Sequence, residues 1–280
     1  MVIGIVGLGL IGGSLAKAYK KSNNTVYGFD IDTITLQYAI MTGTLDAALT
    51  QDTLKLCDAV FIALYPDATV EYILKNQSFF KKDSIVIDCC GVKEKICSPC
   101  FDIADKNNFH FVGGHPMAGL QNSGYKNSKE DLFCGANMIL VPKKNEDIAL
   151  LSKIKDILVL AGFESVSVTS AQNHDKIIAY TSQLAHVVSN AYVKSPSAAV
   201  HHGFSAGSYK DLTRVAQLSA EMWTQLFMDN KENLLFEIDS IINSLNQYKD
   251  AIKSNDRQAL FSLLKEGSDR KVKIDKNELE

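Results

Sequence analysis

The stretch Val2-Ile3-Gly4-Ile5-Val6-Gly7-Leu8-Gly9-Leu10-Ile11-Gly12 decides the fold. Val2 to Val6 reads as a buried strand, and Gly12 to Lys21 as the helix that follows it. Between them Gly7, Gly9 and Gly12 match G-x-G-x-x-G. The first glycine permits a tight turn, the second lets the backbone approach a pyrophosphate, and the third lets helix and strand pack closely. The N–H groups at the helix start then favour an anion. About 20 residues further on, Tyr27-Gly28-Phe29-Asp30 ends the next β-like run in a carboxylate placed to take ribose hydroxyls, with Asp32 as a second candidate. A carboxylate there repels a 2′-phosphate, and no arginine is close by in sequence, so the expected cofactor is NAD rather than NADP.

Outward from this turn, β-like runs alternate with helical ones. Thr25–Asp30, Asp58–Ala63, Ser84–Asp88, Phe109–Val112, Met138–Val141 and Phe163–Val168 read as strands, and 69–75 as a helix. Such alternation predicts an α/β fold, a Rossmann domain with a parallel sheet covered on both faces. From about Ser170 the pattern becomes all helical, with i, i+3, i+4 apolar spacing over 171–193, 217–228, 232–253 and 258–265. A helix start is expected near Asn230, a break at Asn255-Asp256, and a frayed charged tail from Arg270 to Glu280. The predicted division is a dinucleotide-binding domain over 1–169 and an all-helical domain over 170–280. Ligands of doubly wound sheets sit at the carboxyl ends of strands. Tyr65-Pro66 and Gly91 therefore join Gly7, Leu8, Gly9, Leu10, Ile11, Gly12 and Asp30 as expected cofactor-binding residues.

Of the 280 residues, 46% are hydrophobic and 22% charged, and the formal net charge is -3. That balance gives no electrostatic footprint for nucleic acid. The apolar opening lacks a basic start and is interrupted by glycines, so it is not read as a signal peptide. No stretch approaches the roughly 20 apolar residues of a membrane span. A cytoplasmic location and reduced cysteines are expected, and the Cys97-Ser-Pro-Cys100 spacing is read as structural thiols rather than a metal or redox site.

For chemistry, Gly113-Gly114-His115-Pro116-Met117-Ala118-Gly119 places a histidine on what reads as a rigid turn at the sheet's active edge. A near-neutral imidazole suits removal of a hydroxyl proton as hydride leaves the same carbon. Arg214 is the first arginine of a chain whose other basic residues are nearly all lysine. In a helix-start setting it suits bidentate recognition of a carboxylate. His174, Ile178 and Ser182 share a face by i, i+4 spacing, and Gln183 and His186 form an i, i+3 pair. Periodicity alone assigns these residues no role.

Taken together, the motifs resemble the prephenate dehydrogenase family. The match rests on Gly7 to Gly12, the segment from Gly113 to Gly119, His174-Asp175, Ser182 to His186, and Lys210-Asp211-Leu212-Thr213-Arg214. Trp223 and the helix start from Asn230 to Asn233 also fit. The resemblance implies a Rossmann domain followed by a helical dimerisation domain, a homodimer, and NAD-dependent oxidative decarboxylation of prephenate to 4-hydroxyphenylpyruvate in tyrosine biosynthesis. It implies that His115 accepts the ring-hydroxyl proton, and that Arg214 holds a substrate carboxylate with His186, Gln183 and Lys210 assisting. Two departures stand out. Gly91 takes the place where the family commonly has serine, and Gln183 and Ala185 replace a histidine and a proline. Alternatives are arogenate as substrate, a β-hydroxyacid-type dehydrogenase, and a non-catalytic NAD sensor.

Overall fold

The computed structural model describes residues 1–143, 148–276 and 278. Eight strands form one sheet: β1 (Val2–Val6), β2 (Thr25–Phe29), β3 (Ala47–Ala48), β4 (Ala59–Ile62), β5 (Ile85–Asp88), β6 (His110–Pro116), β7 (Asn137–Val141) and β8 (Ser165–Val168). Their order is β3-β2-β1-β4-β5-β6-β7-β8. The chain starts in the middle of the sheet, runs to one edge, then returns past β1 to the other. The crevice between β1 and β4 is thus the topological switch point where a dinucleotide binds.

Pairing is parallel from β3 through β6, but β7 runs antiparallel to β6, with Gly113 opposite Val141 and His115 opposite Ile139. The parallel sheet read from the sequence thus holds from β3 to β6 and again between β7 and β8, with one antiparallel pair between β6 and β7. No α-helix forms between β6 and β7, only a short 3-10 turn at Tyr125–Asn127, whereas a helical crossover makes β8 parallel to β7.

The helices are α1 (Leu10–Lys21), α2 (Thr33–Met41), α3 (Gln51–Leu54), α4 (Pro66–Asn76), α5 (Glu94–Asn107), α6 (Ile148–Leu160), α7 (Ala171–Ile178), α8 (Ala185–Tyr192), α9 (Gly207–Thr213), α10 (Ala220–Asp229), α11 (Lys231–Lys253) and α12 (Arg257–Asp275). Side chains alternate across the sheet as the two-residue period requires. Ile85 and Ile87 enter one core with Ile5, Leu15, Tyr19 and Phe61, while Val86 enters the other with Val60, Ile62, Ile96 and Phe111. Leu226 of α10 belongs to this second core, so α10 is packed onto the sheet.

By packing, the chain forms two compact units, Met1–Asn230 and Lys231–Glu280. Three further differences have local causes. The helix expected over 171–193 is interrupted by a π turn at Ala179–Leu184, which rotates the face read from i, i+4 spacing. Arg214 closes α9 instead of opening a helix. The tail expected to fray from Arg270 is helical to Asp275, supported by the i, i+4 pairs Lys265–Asp269 and Lys271–Asp275; residues 277, 279 and 280 lie outside the described residues. The break at Asn255-Asp256 is present: Asn255 is left-handed and the Asp256 carboxylate caps α12. Among the described residues no helix is long and apolar enough to cross a membrane.

Candidate active site

At the switch point, Gly7 has φ +85°, and a Cβ there would lie 2.5 Å from the Ala63 carbonyl oxygen of the β4 end. A Cβ at Gly12 would lie 1.8 Å from the Gly7 oxygen. At Gly9 it would meet no described atom within 4 Å. Two glycines therefore serve internal packing, and the middle one leaves open space over the start of α1. No side chain caps that helix start, so the Leu10 and Ile11 amides face an anion site. The Leu8 amide is engaged differently: it donates to Asp30 Oδ2 at 2.6 Å and ties the glycine turn to the end of β2. Asp32 accepts from the Ile34 amide and the Thr35 hydroxyl as the cap of α2, which leaves Asp30 as the carboxylate beside the turn. Tyr65 and Pro66 begin α4 directly after β4, with Tyr65 exposed. These residues fit a dinucleotide without a 2′-phosphate.

His115 lies inside β6, not on a turn beyond it, which corrects the sequence reading. Its glycines serve close approach. A Cβ at Gly114 would lie 2.4 Å from the Asp88 carbonyl oxygen, and one at Gly113 would lie 2.6 Å from Cys97 Sγ. The end of β6 is thereby pressed against the β5–α5 turn. There Asp88, fully buried, accepts from the Gly114 amide (3.1 Å), the Cys90 amide (2.9 Å) and the Lys93 ammonium. Burial is the largest influence on Lys93 and pulls its pKa down, but Asp88, Cys90 and Cys97 together turn the net shift upward. Gly91 sits beside the catalytic candidate: a Cβ there would be 4.0 Å from His115 Cε1.

The His115 ring is bound from α7. Its Nδ1 lies 2.9 Å from His174 Nε2, and His174 Nδ1 lies 2.6 Å from Asp175 Oδ1. Burial first, then the neighbouring His174 and Lys93, hold the His115 pKa well below 6.5, so the ring is neutral and able to accept a proton at neutral pH. His174, Asp175, Asp88 and Lys93 were assigned no role from the sequence. The adjacent His174-Asp175 pair was the available signal, yet its register toward His115 depends on how α7 packs.

The remaining predicted residues lie on the later helices. His186 stacks on Trp223 with ring centroids 3.9 Å apart, and its Nδ1 donates to the Ser182 carbonyl, leaving Nε2 bare. Burial and then the Arg214 charge lower its pKa against that carbonyl. Arg214 and Lys210 are both exposed and one turn apart on the α9 segment. Gln183 is buried, its amide donating to the Leu226 carbonyl and accepting from Asn230. Among the described residues no cluster of three or more His, Cys, Asp or Glu side chains could hold a metal ion.

A doubly wound sheet with a glycine turn at its switch point and a neutral, half-buried histidine near the end of β6 fits a dinucleotide-dependent oxidoreductase. Residues 15–167 match the family model described as prephenate dehydrogenase, nucleotide-binding domain, and 170–266 the one described as prephenate dehydrogenase, dimerization domain. The chain belongs to the prephenate dehydrogenase family. It is 29% identical to the prephenate dehydrogenase of Bacillus subtilis over 95% of this chain and 74% of that one. It is 29% identical to the cyclohexadienyl dehydrogenase of Zymomonas mobilis over 97% and 95%. A crystal structure of prephenate dehydrogenase from A. aeolicus, in complex with hydroxyphenyl propionate and NAD⁺, superposes with TM-score 0.84 at 30% identity, covering 98% of each chain.

Proposed function

We propose that the protein oxidises prephenate with NAD⁺ and releases carbon dioxide, forming 4-hydroxyphenylpyruvate. The observation that carries this reading is a neutral imidazole at the end of β6, one nitrogen engaged by His174 and the other bare, in a chain of this family. Bound NAD⁺ supplies a hydride acceptor, held by the α1 amides, the open space over Gly9, and Asp30. His115 Nε2 takes the proton of the substrate's ring hydroxyl as the carbinol hydrogen departs as hydride. Loss of carbon dioxide sends the released electron pair into the ring and onto the oxygen, which recovers the proton from His115 as the ring becomes aromatic. Arg214 holds a substrate carboxylate, with Lys210 adding positive charge one turn away and His186 assisting with its bare Nε2. Residues 1–169 then serve the cofactor and 170–280 the substrate and a homodimer. The six cysteines are free thiols, in keeping with a cytoplasmic enzyme.

The test is NADH formation with prephenate and separately with arogenate, for wild type and His115→Asn. Turnover of prephenate is expected, with kcat falling by about 10²–10⁴-fold in the variant. Because the native pKa of His115 lies below its ordinary 6.5, kcat/KM should stay level as pH falls from neutral to 6.5 and decline only further down. Turnover of arogenate alone would replace the substrate; turnover of neither would reject the reading.

A further inference from the structure

Asp175 is 1% exposed and receives three donors: the Lys93 amide on Oδ1 (2.8 Å), the Glu94 amide on Oδ2 (2.9 Å), and His174 Nδ1 on Oδ1 (2.6 Å). A carboxylate only accepts, so His174 Nδ1 is the donor to Asp175, and His174 Nε2 is the nitrogen turned toward His115. In the arrangement proposed below, His115 Nδ1 donates to that nitrogen across 2.9 Å. The proton of His115 is then on Nδ1, and Nε2 is the free acceptor. Which imidazole nitrogen is bare follows from the hydrogen bond the other makes, and here that bond ends on a buried charge two groups away.

We propose that His174 and Asp175 are positioning residues that fix His115 in its Nε2-accepting tautomer and steady the imidazolium that forms when the proton is taken. The proposal rests on the reaction given above and adds how its base is set. No side chain at Gly91 is available to hold the ring from the β5–α5 turn, so α7 supplies the hold. The geometry is tightly determined. Asp175 caps the start of α5, a helix with no side-chain cap of its own at Lys93. The Asp175 carbonyl accepts from Asn230, which also donates to Gln183. The groups facing His115 are His174 and Asp175 from α7 and the Lys93–Asp88 pair from the β5–α5 turn; burial is the largest cause of its lowered pKa, followed by His174 and Lys93.

The experiment combines ¹⁵N NMR of the imidazoles in the ligand-free protein with steady-state kinetics on wild type, His174→Leu and His174→Gln. Wild-type His115 is expected to show Nε2 unprotonated and Nδ1 protonated. His174→Leu should shift His115 toward the Nε2-protonated form that imidazole prefers in water. It should lower kcat on the order of 10- to 100-fold and leave NAD⁺ affinity unchanged. His174→Gln, whose amide oxygen can accept from Nδ1, should recover most of the lost kcat. A wild-type His115 protonated on Nε2 would overturn the proposal, as would a folded His174→Leu with the wild-type tautomer and kcat. If neither prephenate nor arogenate is turned over, the reaction assignment fails while the NMR still decides the relay.

Discussion

Gly9 and Gly12 belong to one turn but face different constraints. A Cβ at Gly12 collides with the backbone oxygen of Gly7, whereas a Cβ at Gly9 enters open space. Gly12→Ala should therefore lower stability by about 1–3 kcal/mol or more, because backbone must move to relieve the overlap. Gly9→Ala should leave the melting temperature unchanged and weaken NAD⁺ binding by about tenfold or more, since the methyl group occupies the approach to the pyrophosphate. Thermal melts and NAD⁺ titrations of the two variants check this. Equal effects of both substitutions on melting would contradict the assignment.

At the level of elements, the β5–α5 turn is the join of the molecule. It receives β6 through Asp88 and the Gly114 amide, and α7 through Asp175 and the Lys93 and Glu94 amides. The turn encloses an ion pair, Lys93–Asp88, with both side chains inaccessible. Removing one partner of such a pair strands the other charge, which typically costs about 3–5 kcal/mol. Lys93→Met should show that loss in urea unfolding. Lys93→Met combined with Asp88→Asn should be less damaged than the single variant, because no ionised carboxylate is left buried without a counter-charge. An equal or larger loss in the double variant would mean that Asp88 matters mainly through the two amides it accepts from.

For the whole molecule, the open question is what lies against the last two helices. In the Lys231–Glu280 unit, α11 leaves Phe236 at 67%, Leu245 at 59% and Ile252 at 61% exposure, and α12 leaves Phe261 at 61% and Leu264 at 57%. Large apolar side chains left exposed in this number mark a protein contact. The match of residues 170–266 to a dimerization domain says which kind. Sedimentation at micromolar concentration should give about twice the 30.8 kDa chain mass, and Phe236→Glu should shift it toward one. A wild-type monomer would exclude the homodimer.

The opening strand–turn–helix was readable from its residues because each of its requirements is local. A strand of β-branched residues, a glycine where φ is positive, and a carboxylate one strand on are all set within about thirty residues. The helix over 232–253 and the break at Asn255-Asp256 were readable for the same reason. The direction of β7, the π turn at Ala179–Leu184 and the placement of Arg214 at a helix end were not, since each depends on what a segment packs against. The site divides in the same way. His115 stood out by its glycine and proline neighbours, and Arg214 by its rarity. The contact on which the proposed tautomer of His115 rests is made only by folding, which brings His174 and Asp175 to it across 59 residues of chain. A hydrogen bond between residues so far apart leaves no periodic trace in the sequence, and it exists only once α7 is docked on the β5–α5 turn.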